Sequence, residues 1–483
     1  MRHSSTPRRR GGSATRPVAS AAAVLLIALA ALVPSPSIAS TLTAPATTGP
    51  TTTAAATTGS TTTPTRATPD PRLLETRNRF FGRANVDQRT ARPRADRIVL
   101  SWFGVTNFAM AIRGHVVLLD AWVPRGVYSG YVPTDAAELA RLRPSHVYIG
   151  HGHWDHAMDA VPIARASGAT LVGSAEHCAF LRREEPAPDC VAVSPADAGP
   201  GSTRRAPGPA GVAVTAMRHV HSGPSLPSEL REPFVPLPSP TILEHPTNVT
   251  DALELLSHLA DPEGGTLLYR FEVGDHALTW NDSAGPLEGT AAGDAVVAAL
   301  RAQGPADVQV GAIQGFNQFT NGLRDPMTYV RAIRPRVFVP THHDDWQPGI
   351  TTRAAAMRPV LERALQRDVP AAIRPELRFI EDPRDYVRPD ALTFAVPVPR
   401  PVPAATCVGP RRVRAALTGD VHDVRSVRFL RAGAASRVAV RAPFARTLRV
   451  RRAHRMRAAP LRARVRWRDG TRSTLRASSR TCR

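Results

Sequence analysis

The chain has 483 residues, 42% of them hydrophobic, with 62 basic and 40 acidic side chains and a formal net charge of +22. That length and apolar content exclude a single small domain and a chain without a core. The charge is uneven: residues 1–40 carry +5, residues 401–483 carry +19, and residues 41–400 are left with −2. Every basic residue is arginine, and alanine, proline and valine are heavily used, which points to a biased coding background. The number of arginines alone is therefore no argument for a nucleic-acid partner.

At the N-terminus a basic segment precedes an apolar run, Val18 to Val33, and small residues with a cleavage position after Ala39. This predicts a signal peptide over 1–40 and a secreted or cell-surface protein. The run is shorter than the roughly 20 residues of a membrane span, and an uncleaved anchor is the alternative. Residues 41–72 are dominated by threonine and alanine and read as a disordered linker.

The body is expected over 73–397. "RGHVVLLDAW" reads as an early strand ending in Asp120. "RPSHVYIGHGHWDHAMDAVPIARASGA" reads as a strand, a loop and a helix, with His151, His153, Asp155 and His156 on the loop. In an α/β sheet, ligands bind outside the carboxyl ends of strands. The H-x-H alternation lets His151 and His153 face one way, while Asp155 and His156 open the helix and address a second position. Imidazoles with a carboxylate and no nearby cysteine suit zinc or another divalent first-row metal, the bland alternative being a chance cluster on a surface loop.

Four cysteines fit an exported protein; the preferred pairing of the three possible is Cys178–Cys190 and Cys407–Cys482. "GVAVTAMRHVHSG" predicts a strand ending in His219 and His221. A proline-rich insertion over 222–265, helical from Asp251, is a lid, a specificity wall or a plain surface loop. "TLLYRFEVGDHALTWNDSAGP" predicts a hairpin turning at Gly274-Asp275 and followed by Asp282, which alternatively caps a helix. Phe316, Phe319, Trp154 and Trp346 line a pocket or pack in the core. "RPRVFVPTHHDDW" predicts a strand ending in His342 and His343, with Asp344 and Asp345 capping or turning the next segment. Residues 398–483 show short alternating strands and a hairpin turn at Asp469-Gly470, the pattern of a small β-sandwich. It is read as an accessory module for cell-wall or anionic-surface contact.

The order H-x-H-x-D-H, the histidine at 221, the aspartate after a hairpin and the Pro340-Thr341-His342 placement together resemble the metallo-β-lactamase superfamily, across residues 97–345. The resemblance implies a four-layer αββα sandwich, with the C-terminal all-β unit appended. It implies two ions about 3.5–4 Å apart: one held by His151, His153 and His221, the other by Asp155, His156 and His342, with Asp282 between and Asp120 bracing the first histidines from behind. His219 becomes a partner behind the ligands or, in place of His221, the ligand itself, and His343 is assigned to the substrate side. Zinc is the expected ion, with manganese or iron as alternatives. A metal-bridging hydroxide would cleave an ester, lactone or phosphodiester, with Asp155, Asp282 and His343 as the catalytic group and a small or lipid-like molecule as substrate. The pattern is similar to lactonase-like and phospholipase-like members. Two departures stand out: Gly150 where Thr or Ser is usual, and Asn281 where Gly is usual. No G-x-S-x-G elbow competes for the nucleophile. Rival readings are an iron oxidoreductase on the same fold, a non-catalytic surface-binding protein with a structural metal, and a nuclease; the near-neutral body argues against the last, and no specific nucleic-acid partner is expected.

Overall fold

Two strand-rich stretches of the body each build a seven-stranded sheet, and the two sheets share one internal plan. In the first, β1 (Arg97–Trp102), β2 (Phe108–Ile112) and β3 (His115–Leu119) are antiparallel; β4 (His146–Tyr148), β5 (Thr170–Ser174) and β6 (Cys190–Ser194) continue in parallel, and β16 (Thr393–Ala395) borders β1. In the second, β7 (Thr203–Ala206), β8 (Ala213–Arg218), β9 (Leu267–Val273) and β10 (His276–Asn281) are antiparallel; β11 (Val308–Ala312), β14 (Val337–Thr341) and β15 (Glu376–Leu377) follow in parallel. A short hairpin, β12 (Gln314–Gly315) with β13 (Gln318–Phe319), follows β11.

The structure, a computed structural model, describes residues 69–123, 134–222, 261–315, 323–343, 354–380, 389–396, 401–409, 412–419, 423–431, 434–449, 460–467 and 472–477, and residues 257, 258, 318, 319, 387 and 421 between them. By their contacts these residues, 257 apart, belong to one unit, Ala67–Pro246 with His258–Arg483. The signal and linker segments, most of the 222–265 insertion, Phe316, Asp344, Asp345, Trp346 and Cys482 lie outside them, and so does any description of the Phe319 side chain. No helix among the described residues is long and apolar enough to cross a membrane.

Alternation along the strands makes the layers, because successive side chains leave a strand on opposite faces. Ile98, Leu100 and Trp102 of β1 join Tyr269, Leu278, Trp280 and Val310 of the second sheet in one inter-sheet core. Val99 and its equivalents on β2 to β5 face the other way. They pack against Phe80 and Phe81 of α1 (Pro71–Phe81), Leu139 of α2 (Ala136–Arg141), and, beyond the single-turn α3 (Trp154–Ala157), Val161 and Ile163 of α4 (Ala160–Ser167) and Leu181 of α5 (Ala175–Leu181). On the far side of the second sheet lie Val296 and Leu300 of α6 (Ala291–Ala302), Tyr329 and Ile333 of α7 (Arg324–Ile333), and Leu361 and Leu365 of α8 (Ala354–Asp368). The order is helix, sheet, sheet, helix, which is the αββα sandwich expected from the sequence. Local chemistry fixes the ends: Asp70 caps α1, whose first residue is Pro71, and Gly168 ends α4 in the left-handed region.

After the body, β17 (Val402–Gly409), β18 (Arg412–Thr418) and β21 (Ala445–Arg449) form one sheet. The strands β20 (Ala434–Ala435), β19 (Val424–Arg431), β22 (Arg462–Trp467) and β23 (Arg472–Arg476) form another, in that order. Val413, Leu448, Val427, Phe429, Ala463 and Val465 meet in one core between them. The antiparallel pair β22–β23 stands on either side of Asp469-Gly470. Cys178 and Cys190 form a disulfide, and Cys407 is disulfide-bonded as well.

Candidate metal centre

Four strand ends deliver the candidate ligands. The loop after β4 carries His151 and His153; His153 precedes α3, so Asp155 and His156 occupy that helix's single turn. Just past β8 stand His219 and His221, just past β10 stands Asp282, and just past β14 stands His342. Three backbone positions here, Val105, Asp120 and His342, have φ of 51°, 54° and 60°. Side chains other than glycine resist that region, at a cost of order 1–3 kcal/mol each, and the His342 amide is held there by donating to the Val105 carbonyl at 3.0 Å.

The side chains converge in three overlapping groups whose ligand atoms lie within 4.8 Å of one another: His151, His153, His221; His151, His156, Asp282; and Asp155, His156, His342. Asp282 stands between the other two sets, its Oδ2 being 2.6 Å from His151 Nδ1 and 3.5 Å from His156 Nδ1. His221 Nε2 is 3.2 Å from His151 Nε2, and His342 Nε2 is 3.7 Å from Asp155 Oδ2. His153 and His221 are half-buried while the rest are buried, so the site opens on the side of the first group.

Behind the ligands stands a set of orienting bonds. Asp120, fully buried, takes the Gly150 amide on Oδ1 at 2.9 Å. Its Oδ2 takes both His156 Nδ1 and the Thr106 hydroxyl at 2.7 Å. This leaves His156 Nε2 on the side of Asp155, 3.4 Å from its Oδ2 but buried and outside hydrogen-bond geometry, and Asp282 Oδ1 is likewise buried without a hydrogen bond. Buried polar atoms are normally satisfied, and an unmatched acceptor and an unmatched imidazole nitrogen in one cluster of candidate ligands are what a cation would fill. Electrostatics agrees. Burial pushes His221 down to about 4 and His342 to about 3, and takes His151 and His153 below their usual range, so these rings are neutral and their lone pairs available. Burial, with Asp120 nearby, drives Asp282 well above the carboxylate range, which marks a site short of positive charge. His156 is the exception: burial opposes its charge, but Asp155 and Asp120 outweigh it and hold the ring well above the usual value.

His343 is not on the substrate side. Its ring stacks on Trp102 with centroids 5.1 Å apart, meets Phe379 at 4.2 Å, and donates from Nε2 to the Ile380 carbonyl at 2.9 Å. His342 follows β14 in the left-handed region, with φ 60°, and its ring faces the centre while that of His343 faces Trp102 and Phe379. Trp154 likewise packs edge-on against Trp122 at 4.9 Å. His219 lies behind Asp282, 4.0 Å from its Oδ1, and bonds Tyr329 Oη through Nδ1 at 2.8 Å. Sequence reading missed Thr106, Asn107 and Glu263. Asn107 accepts from the Trp122 amide and donates to the Asp155 carbonyl, and the Glu263 carbonyl takes the Gly152 amide at 2.7 Å. For Thr106 and Asn107 the signal was a polar pair inside the apolar stretch "SWFGVTNFAMAI".

No family model matches the chain. A UPF0173 metal-dependent hydrolase of Pyrobaculum neutrophilum is 39% identical over 77 residues, 16% of this chain and 32% of that protein. The chain thus spans about a third of the length of that curated relative. The solved structure of Igni18, a metallo hydrolase from Ignicoccus hospitalis, is 16% identical and covers 62% of this chain and 100% of its own, with a TM-score of 0.41. That of YhfI from Bacillus subtilis, a metallo-beta-lactamase fold protein, is 9% identical and covers 59% and 97%, with a TM-score of 0.36. Likeness to a metal-dependent hydrolase now stands beside the paired sheets and the His/Asp groups at their strand ends. The helix–sheet–sheet–helix order with its ligand groups at strand ends is the arrangement that the resemblance to the metallo-β-lactamase superfamily implies. On this version of the fold the two sequence departures have structural reasons. A Cβ on Gly150 would run into the Asp282 carboxylate, so no side chain fits there. Asn281 is buried beneath the site, donating to the Ser283 carbonyl and accepting from Gln309 Nε2 at 3.3 Å.

Proposed function

We propose that the chain is an exported metal-dependent hydrolase that cleaves an ester, lactone or phosphodiester, with zinc as its ion. The observation that carries this reading is the placement of Asp282 between a histidine group and an Asp-His-His group. Nitrogen and oxygen donors without cysteine suit zinc or a neighbouring first-row metal. His151, His153 and His221 would hold one ion, Asp155, His156 and His342 a second, and Asp282 both. When bound, such ions supply a water-derived nucleophile at neutral pH and Lewis acidity toward a carbonyl or phosphoryl oxygen.

The chain's own residues do the rest. Asp120 and Thr106 fix the His156 ring so that Nε2 lies on the side of Asp155. The Glu263 carbonyl and the Asp120 carboxylate pin the backbone on both sides of His151 through the amides of Gly152 and Gly150. Substrate enters over His153 and His221, the half-buried pair. Lactonase-like and phospholipase-like chemistry rests on the sequence resemblance, and export rests on the N-terminal sequence pattern alone.

The test is metal analysis of protein grown with zinc, manganese and iron all supplied, with a panel of chromogenic esters, lactones and phosphodiesters. Zinc and turnover of at least one class are expected, both lost in Asp155→Ala. Protein free of transition metal, or an Asp155→Ala variant with full turnover, would overturn the proposal.

A further inference from the structure

The C-terminal sandwich carries a surface that the hydrolase reading does not use. On β22, Arg462, Arg464 and Arg466 point outward and are exposed, while Ala463 and Val465 point into the core. The register sets each of them against a neighbour on the same face. Arg464 lies opposite Arg428 of β19, and Arg462 and Arg466 lie opposite Arg476 and Arg472 of β23. Three arginine pairs are therefore directly cross-strand, about 5 Å apart across the sheet, with successive pairs about 7 Å apart along it. Like charges placed this way destabilise a sheet.

No acid among the chain's described residues relieves them, and the Ser436 carbonyl, which accepts from Arg428 Nε at 3.2 Å, brings no counter-charge. The strands β19, β22 and β23 contain no acid, and none of the six arginines makes an ion pair among the described residues. The body treats its arginines differently: Arg79 pairs with Glu138, Arg218 with Glu176 and Arg331 with Glu288. Coding bias explains how many arginines there are. It does not explain a face where they oppose one another and acids are missing.

The border of this face is apolar. Ala439 pairs with Val427 through two backbone hydrogen bonds and is buried, so its neighbours Val438 and Val440 point outward beside Arg428. They are 44% and 62% exposed, among the most exposed large apolar side chains of the described residues. Bases beside a shallow apolar rim match the boundary of an anionic bilayer, where cations meet headgroup phosphates and small apolar groups enter the interface. A single-stranded nucleic acid is a poorer fit, since its readers present aromatic rings for stacking and Phe429 here points into the core.

We propose that the outward face of the β19–β22–β23 sheet docks on an anionic phospholipid surface, through its six arginines and through Val438 and Val440. The test is cosedimentation of the full chain with vesicles of phosphatidylglycerol and phosphatidylcholine, and with vesicles of phosphatidylcholine alone. Binding is expected to the anionic vesicles and to fall with salt. The R462Q/R464Q/R466Q variant should bind them about 100-fold more weakly, at about fivefold per arginine. V438S/V440S should weaken binding severalfold, and the arginine variant should melt no lower than the wild type because cross-strand repulsion is relieved. Equal binding to both vesicle types would place the contact in an apolar segment elsewhere and overturn the proposal. So would unchanged binding in either variant. Binding of soluble polyphosphate as tight as that of vesicles, and indifferent to the valines, would assign the face to a linear polyanion instead.

Discussion

Asp282 Oδ2 lies 2.6 Å from His151 Nδ1, although 131 residues of chain separate them. The approach depends on residue 150, where any Cβ would occupy the space of the carboxylate. Gly150→Ala is therefore expected to displace Asp282 from its place between the two groups. A misplacement of about 1 Å at a reacting centre costs about 100-fold in rate, and hydrolysis should fall by that much, with metal content per chain below wild type. Elemental analysis and initial rates check this; a Gly150→Ala protein with wild-type metal content would show that the contact is dispensable.

Asp120 belongs to none of the three candidate ligand groups, yet it holds His156, Thr106 and the Gly150 amide at once. Partners of this kind set the tautomer and aim of a ligand, and their loss costs 10–100-fold in metal affinity. Asp120→Asn keeps the shape but turns one oxygen into a donor facing the Nδ1–H of His156. Metal affinity, read by competition against a chromophoric chelator, is expected to drop by about that factor while the protein remains folded. Thr106→Val, which removes the hydroxyl's contacts with Asp120 and His156 but leaves the Asp120–His156 bond, should give the smaller loss.

Much of this site was legible because its residues sit at strand ends, where period-2 apolar runs stop and polar residues begin. The runs before His151, His221, Asp282 and His342 are short, β-rich and bounded by turn residues, and each proved to be a strand. The alternating C-terminal strands came from the same signal, whereas the αββα order came only from the family resemblance that the ligand residues carry. Direction was not legible. His342 and His343 are identical in composition and adjacent, and only a backbone φ of 60° at His342 decides which ring faces the centre. The reason for Gly150 was equally hidden, since it depends on a carboxylate from β10 that the sequence places far away.

His343 gives a separating test. Its ring is held by Trp102, Phe379 and the Ile380 carbonyl. His343→Phe retains the stacking and loses the donor, which leaves a buried carbonyl unmatched at a cost of about 1–3 kcal/mol. Denaturant unfolding should show that loss, and kcat/KM should stay within about twofold, well under the roughly 100-fold that a contact with the reacting centre is worth. A large fall in kcat/KM with metal content intact would return His343 to the substrate.

His177 should make stability depend on pH. The ring is buried, accepts from the Ser174 amide on Nδ1 at 3.1 Å and donates from Nε2 to the Glu263 carbonyl at 3.0 Å. Both nitrogens are satisfied only in the neutral form, because a proton on Nδ1 would face the Ser174 N–H. Burial lowers the pKa from 6.5 to about 4. Below pH 6.5 the unfolded chain therefore takes up a proton that the folded chain refuses, and stability falls with falling pH until about pH 4, where the folded ring protonates too. At about 1.4 kcal/mol per pH unit the loss approaches roughly 3 kcal/mol. His177→Gln preserves a side chain that can serve the helix cap but does not titrate. Its stability relative to wild type, measured by urea unfolding at pH 7 and again near pH 4, should improve by about that amount at the lower pH. Equal differences at the two values would mean that His177 titrates alike in both states.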